Sequence, residues 1–221
     1  MQLQVSNMRK NFIIFGTGKH ALLVLNEIIS EYNTDQIFFF NDKEKKNNIK
    51  IGNKKYPIFK TFSKLNNNIK KNSYFFIAVG SNSLRKKIYD ETRKKLKLCK
   101  VLTIISKKSN IDKNVKIGQG TIILKGVSIN SNTKIGKFCI INTNSSIDHD
   151  NTLGNFMSTG PGVNTGGNVK INDLCQIGIG ASIKDKITIK KNTIIGGGAF
   201  VNKNCDSNST YFGVPAKKIK N

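Results

Sequence analysis

Residues 129–152 read INSNTK IGKFCI INTNSS IDHDNT, four successive hexads that each open on isoleucine. A period of six is neither the 3.6 of an amphipathic helix nor the 2.0 of a half-buried strand. Stepping outward in sixes extends the frame. Before it lie Ile105, Ile111, Ile117 and Ile123; after it come Leu153, Thr159, Thr165, Ile171, Ile177, Ile183, Ile189, Ile195 and Val201. Only Thr159 and Thr165 interrupt the large aliphatics, and both are β-branched. The following residue is often Gly, Asn or Asp, as at Gly118, Gly136, Gly154, Gly160, Gly166, Gly178 and Gly196. Four residues after each aliphatic stands a small or medium side chain, such as Val115, Thr121, Val127, Val169, Ala181 and Ala199.

Such a chain turns a corner at every hexad and points one aliphatic inward per flat face. Three faces, and so three hexads, close one coil. Stacked coils bury the aliphatics that one coil could not bury alone. The pattern predicts a left-handed parallel β-helix of hexapeptide repeats over 101–221, with the frame unbroken from 105 to 206. Cys139, Cys175 and Cys205 fall on the small inward position, where cysteine acts as a small hydrophobe, so an acyl-cysteine intermediate is disfavoured.

Residues 1–100 follow another rule. KNFIIFGTGKHALLVLNEIISEY is an apolar strand, a glycine turn and a helix of about a dozen residues. QIFFFND is a second strand, NSYFFIAVGSNSLRKKIYDETRKKL repeats strand, glycine turn and helix, and KVLTII supplies a last strand. Alternating strands and helices predict an α/β, Rossmann-like βαβ domain with a parallel sheet. Ligands of such sheets bind beyond the carboxyl ends of the strands, which here carry Gly16–His20, Asn41-Asp42 and Gly80–Arg85. The turn Gly16-Thr17-Gly18 with Ala21 is a partial dinucleotide fingerprint. It reads either as a phosphate cradle at a helix N-terminus or as a tight structural turn. The first eight residues read as a disordered extension at the start of this domain.

Composition sets outer limits. The net charge is +24, from 37 Lys and Arg against 13 Asp and Glu. That balance suits anionic partners, but the lysines are scattered with few aromatics between them, so nucleic-acid binding is not expected. No apolar run reaches the length of a membrane span, and no secretory signal precedes the first strand; a cytoplasmic protein is expected. The four cysteines show no C-x-x-C spacing, and with one histidine in the repeats no metal is expected.

The segments GTGKH, FND, AVGSNSLRKKIY, INTNSSIDHD, GGNVKI, IIGGGAFVNKN and the tail YFGVPAKKIK carry a resemblance across nearly the whole chain. They resemble, in order, the hexapeptide-repeat acyltransferases of the sialic-acid O-acetyltransferase and sugar N-acetyltransferase family. Within it the likeness is greatest to the bacterial UDP-N-acetylbacillosamine N-acetyltransferases. The resemblance implies acetyl-coenzyme A as co-substrate, a nucleotide sugar as acceptor and a homotrimer. It also implies a general base at the histidine of S-x-x-[DE]-H-[DE], here His149, assisted by Asp150, where the family carries Glu. Asp148 is equally close in sequence; in the hexad frame it occupies the turn-making position, which favours Asp150. Coenzyme contacts carry over to Ser158, Ile179 and Gly197, with Ser158 standing where the family commonly has a second histidine. Nucleotide-sugar contacts carry over to Gly18, Lys19, His20, Asn41, Asp42, Gly80 and Arg85. Lys19 replaces a glycine, only Asp42 keeps its carboxylate, and a structural role at the helix start is the alternative for His20.

The frame adds geometry of its own. Gly167 lies three hexads after His149, one coil on, and is expected to leave space beside the ring for the coenzyme. Ile179 and Gly197 share a corner, whereas His149 and Ile179, five hexads apart, do not. A ligand touching both corners would have to lie between neighbouring prisms, as in a trimer. Other acceptors (a GDP- or dTDP-linked amino sugar, or a sialic-acid hydroxyl) stay open. A zinc lyase on the same β-helix needs three histidine ligands, and the repeats hold one.

Overall fold

The structure, a computed structural model, describes residues 10–70, 73–96 and 98–220; the N-terminal extension lies outside them. Two compact units divide the chain, Met1–Leu102 and Thr103–Asn221.

The first unit is an α/β sheet. Its strands are β1 (Lys10–Phe15), β2 (Thr34–Phe40), β3 (Asn48–Ile51), β4 (Lys54–Phe59), β5 (Ser73–Ile77) and β6 (Lys100–Val101), in the order β3-β4-β2-β1-β5-β6. All pairs are parallel except β3–β4. The continuous apolar run Phe12–Phe15 suits the central strand of a parallel sheet covered on both faces, and all four residues are buried. Helix α1 (Lys19–Glu31) buries Ala21, Val24, Leu25 and Ile28, the i, i+3, i+4, i+7 stripe that packs a helix on a sheet. Helix α2 (Phe62–Asn66) and helix α3 (Asn82–Lys95) complete the unit; α3 is capped by Ser81, whose hydroxyl accepts the Leu84 N–H at 3.4 Å.

Two details depart from the sequence reading. The hairpin β3–β4, turning at Gly52 with φ +55°, extends the sheet edge. KVLTII is not one strand. Lys100–Val101 joins β5, the Leu102 N–H bonds to Phe75 O at 2.9 Å, and Ile104–Ile105 begins the second unit.

The second unit is a left-handed parallel β-helix. Two-residue strands run from β7 (Ile104–Ile105) to β23 (Phe200–Val201) and stack in three sheets, each strand pairing with those one coil before and one coil after. The inward aliphatics form one continuous core in which Ile123, Ile141, Ile147, Ile171 and Ile189 have no exposure. Burying such a side chain contributes about 1.5–3 kcal/mol. Cys139, Cys175 and Cys205 lie in the same core as thiols, with Cys175 and Cys205 pushed up to about 11 and 12 by burial.

The frame holds through Val201 and then shortens. Ile189 pairs with Cys205 and Ile195 with Tyr211, each partner arriving two positions earlier than a full coil would bring it. Cys205 therefore takes the inward place of a strand residue. Strand β24 (Thr210–Phe212) and antiparallel β25 (Lys217–Lys220) close that end.

Corner residues adopt the left-handed region. Asn132, Asn144, Asp150 and Asn168 have φ between 57° and 61°, and glycines fill other corners. Asn, Asp and Gly tolerate this conformation best. The glycines that directly follow the inward aliphatics answer a different need, since a Cβ at Gly136 would fall 2.6 Å from the main chain of the next coil.

Candidate active site

In the first unit, the carboxyl ends of β1, β2 and β5 bring three turns together. Gly16 has φ +110°, and a Cβ there would fall 3.0 Å from Ala78 O; only glycine fits. Gly18 is the N-cap of α1 with open space around its Cα, and Lys19 is exposed. Asn41 donates its side-chain amide to Thr17 Oγ1 at 2.7 Å, and the Thr17 hydroxyl donates to Glu44 Oε2 at 2.8 Å. That hydrogen bond, ahead of the backbone amides of Lys46 and Lys45, holds the Glu44 carboxyl below its usual value. Asp42 is exposed, and Gly80 faces open space. Thr17 and Glu44 did not stand out in the sequence, because neither has a spacing that marks it.

Arg85 differs from its expected role. It is 1% exposed, and its guanidinium donates to Val79 O at 2.8 Å, Gly80 O at 3.0 Å and Asn82 Oδ1 at 2.7 Å. It shapes the Gly80 turn from beneath. His20 lies half-buried near it; burial first and the Arg85 charge second hold its imidazole down to about 4. His20 is therefore neutral at physiological pH, and its Nε2 is buried without a hydrogen-bond partner among the described residues.

In the second unit His149 stands on the corner that follows strand β14 (Ser146–Ile147), with its side chain 53% exposed. Its Nδ1 meets Asp150 Oδ2 at 2.7 Å, while its backbone N–H goes to Asp148 Oδ1 at 2.7 Å. The two aspartates have different tasks: Asp150 holds the ring and Asp148 holds the main chain. Both are braced by the preceding coil. Asn130 donates to Asp148 Oδ1 at 2.8 Å, and Asn132 hydrogen-bonds Asp150. Asn130 and Asn132 each precede their partner by one full coil, a relation the hexad frame contained but that polar corner residues alone do not advertise. The hydrogen bond to Asp150, then the charge of Asp148, raises the His149 pKa above 6.5. The His149 and Asn132 contacts hold Asp150 below its usual range.

Gly167 lies directly beside the ring. A Cβ there would fall 2.6 Å from His149 Cε1 and 2.7 Å from Nε2. The space expected for a ligand is filled by the imidazole itself. Ile179 is 64% exposed on the corner after β19 (Gln176–Ile177), and its Cγ2 would lie 3.1 Å from a Cβ at Gly197. Ser158 faces outward from β16 (Ser158–Thr159), level with Ile140 and Gln176 on the neighbouring strands. Within one chain, Ser158, Ile179 and Gly197 thus lie on and beside one sheet, while His149 lies at the far edge of the next. Among the described residues no group of three or more His, Cys, Asp or Glu could hold a metal ion, and no helix is long and apolar enough to cross a membrane.

The His149 pair yields a direct expectation. Asp150→Asn removes the carboxylate whose hydrogen bond does most to raise the imidazole pKa, so the His149 titration should move down towards 6.5. NMR titration of the ring measures it. His20, held to about 4, should not move and serves as the internal reference. An unchanged His149 midpoint would show that Asp150 does not govern the ring.

Residues 11–92 match the model of the PglD N-terminal domain. No curated protein sequence matches the chain. Three solved structures illustrate the likeness. The acetyltransferase domain of PglB from Neisseria gonorrhoeae shares 23% identity over 96% of this chain and 100% of its own, with a TM-score of 0.86. PerB from Caulobacter crescentus, solved with CoA and GDP-perosamine, shares 26% over 95% and 97%, with a TM-score of 0.81. WeeI from Acinetobacter baumannii shares 25% over 95% and 100%, with a TM-score of 0.86. With a first domain that matches the PglD N-terminal domain and a likeness that runs end to end, the chain shares the two-part fold of these solved structures.

Proposed function

We propose that this protein N-acetylates a nucleotide-linked amino sugar with acetyl-coenzyme A, and that its acceptor is the 4-amino group of a UDP-linked amino-deoxysugar. The observation that carries the reading is the 2.7 Å contact between His149 Nδ1 and Asp150 on an open corner of the β-helix. With Nδ1–H donated to the carboxylate, Nε2 carries the lone pair. The acceptor amine attacks the thioester carbonyl, the C–N bond forms, and His149 Nε2 takes the amine proton. The C–S bond then breaks, and the thiolate leaves with that proton as free coenzyme A. Neither a metal nor an acyl-enzyme is required.

Coenzyme binding falls to Ser158, Ile179 and Gly197, with Gly167 seating the ring that faces the thioester. Their separation from His149 within one prism favours a homotrimer with three sites between subunits. The serine hydroxyl at 158 donates a hydrogen bond but carries no positive charge. Nucleotide-sugar binding falls to Gly18, Lys19, His20, Asn41, Asp42 and Gly80, with Arg85 acting through the turn it holds.

A phosphate-bearing acceptor suits the surroundings of the base. Lys113, Lys116 and Lys134 line a cleft of about 610 Å³ that also reaches Asn132 and Asp150. Lys116 and Lys134 sit opposite each other on adjacent strands. Like charges so placed repel, and an anion bound beside them would relieve that repulsion.

A second reading keeps the reaction and changes the nucleotide. It is favoured by the likeness to PerB, solved with GDP-perosamine. A panel of UDP-, GDP- and dTDP-linked 4-amino sugars with acetyl-coenzyme A, followed by thiol release, separates the two. The highest kcat/KM is expected with a UDP acceptor. A GDP preference selects the second reading, and no thiol release with any member sinks both.

A further inference from the structure

The two threonines that interrupt the aliphatic column have a shared position. Thr159 and Thr165 lie one coil beyond Ile141 and Ile147, the inward residues that bracket the segment leading to His149. Elsewhere in the β-helix, the amide just after an inward residue bonds to the backbone carbonyl of the inward residue one coil on. Asn130 N–H goes to Ile147 O at 2.9 Å, Gly136 N–H to Leu153 O at 2.8 Å, and Gly154 N–H to Ile171 O at 2.7 Å. At two places the acceptor is a side chain instead. Asn142 N–H goes to Thr159 Oγ1 at 2.9 Å, and Asp148 N–H goes to Thr165 Oγ1 at 3.2 Å.

Both hydroxyls are held in turn. Ser145 Oγ lies 3.2 Å from Thr159 Oγ1, and Asn151 Nδ2 donates to Thr165 Oγ1 at 2.7 Å. Asn151 has no exposure and Ser145 1%. Asn151 occupies the inward position that Val115 and Val169 occupy in other coils. A buried hydroxyl or amide adds nothing to a core that an isosteric valine would not, unless it satisfies a particular partner. Here the partners are the amides that open and close the segment 142–148, and the second of these belongs to the residue whose carboxylate holds the His149 main chain.

We infer that Thr159, Thr165 and Asn151 form a buried polar layer that positions the His149 corner, and that the β-helix gives up apolar packing in this coil to set it. Thr165 is the nearest of the three, acting on Asp148 and through it on His149; all three are positioning residues. The inference rests on the proposed role of His149.

Stability and function should respond to different parts of the side chain. Asn151→Val/Thr165→Val removes both polar side chains. The Asp148 amide can return to the carbonyl of residue 165. The Val169 amide, which Asn151 Oδ1 accepts, can turn to the carbonyl three residues before it, as the Val115 N–H does with Asp112 O at 3.2 Å. The melting temperature of this double variant should equal or exceed that of the parent, while kcat falls about tenfold or more, since an ångström of misplacement costs up to ~10² in rate. Thr165→Ser keeps the hydroxyl and loses a methyl; it should lose stability yet keep kcat within about threefold. Thr159→Val, whose partner Ser145 also reaches Gly160 O at 3.3 Å, gives a second test if the double variant does not fold. It too should lower kcat without lowering the melting temperature. Parent-like kcat in both valine variants, or activity lost only in step with stability, overturns the inference. NMR titration of His149 in the same variants should show a shifted midpoint whether or not His149 is the base. A failure of the base assignment is read separately, from the activity of His149→Ala.

Discussion

His149→Ala should lower acetyl transfer by about 10²–10⁴-fold, the range of positioned general-base catalysis. The melting temperature should be unchanged, and the protein should sediment as the parent does. The reason for this clean separation is where the residue sits. Its side chain is half-exposed on a corner, its ring rests on Gly167 and its side-chain hydrogen bond goes to the neighbouring Asp150. Removing it leaves the inward column of Ile147 and Leu153 intact and leaves the Asp148 carboxylate on the backbone amide of residue 149. Exposed substitutions away from core and caps move stability by about 0.5 kcal/mol or less. Thiol release at saturating substrates, with the melting temperature alongside, measures both halves. A variant with full activity ends the assignment of His149 as base, whatever its stability.

The β-helix was legible in the sequence because its repeat is strict. One inward aliphatic per hexad leaves a trace that survives any choice of surface residue. The same frame located His149 on a corner and put Gly167 beside it. It gave no warning of the shortened last coil, because Cys205 fits either a small inward position or, as the pairing with Ile189 has it, a strand residue. The polar layer beside His149 showed only as two threonines in an aliphatic series. Their hydroxyls acquire meaning once their acceptors and donors are known. In the first unit, strands and glycine turns were visible from apolar runs and spacing. Arg85 was not readable. A surface arginine and a buried one that clamps three oxygens look alike in sequence, and the distinction lies in how α3 packs. The Thr17–Glu44 contact joins two distant turns whose shape no local pattern encodes.

Two glycine-to-alanine changes, one at Gly167 and one at Gly136, should have opposite readouts for a reason visible in their neighbours. At Gly167 the added Cβ meets the imidazole of His149 at 2.6 Å. The ring is half-exposed, so it can swing outward at little cost to the fold. It cannot do so and keep Nε2 in place. Relief to ordinary contact needs a shift of about 1 Å, and a shift of that size costs up to ~10² in rate. Gly167→Ala should therefore lose about 10- to 100-fold in kcat with a nearly unchanged melting temperature. At Gly136 the Cβ would meet the main chain of the next coil, 2.6 Å from Gly154 C and 2.7 Å from Gly154 O. Gly154 is fixed by its own bond to Ile171 O at 2.7 Å, so nothing nearby can yield without opening the ladder. Overpacking of this kind costs about 1–3 kcal/mol. Gly136→Ala should lower the denaturation midpoint accordingly, while the folded fraction keeps its kcat. If Gly167→Ala instead destabilised the protein and left the kcat of the folded fraction intact, the glycine would be serving the coil and not the ring.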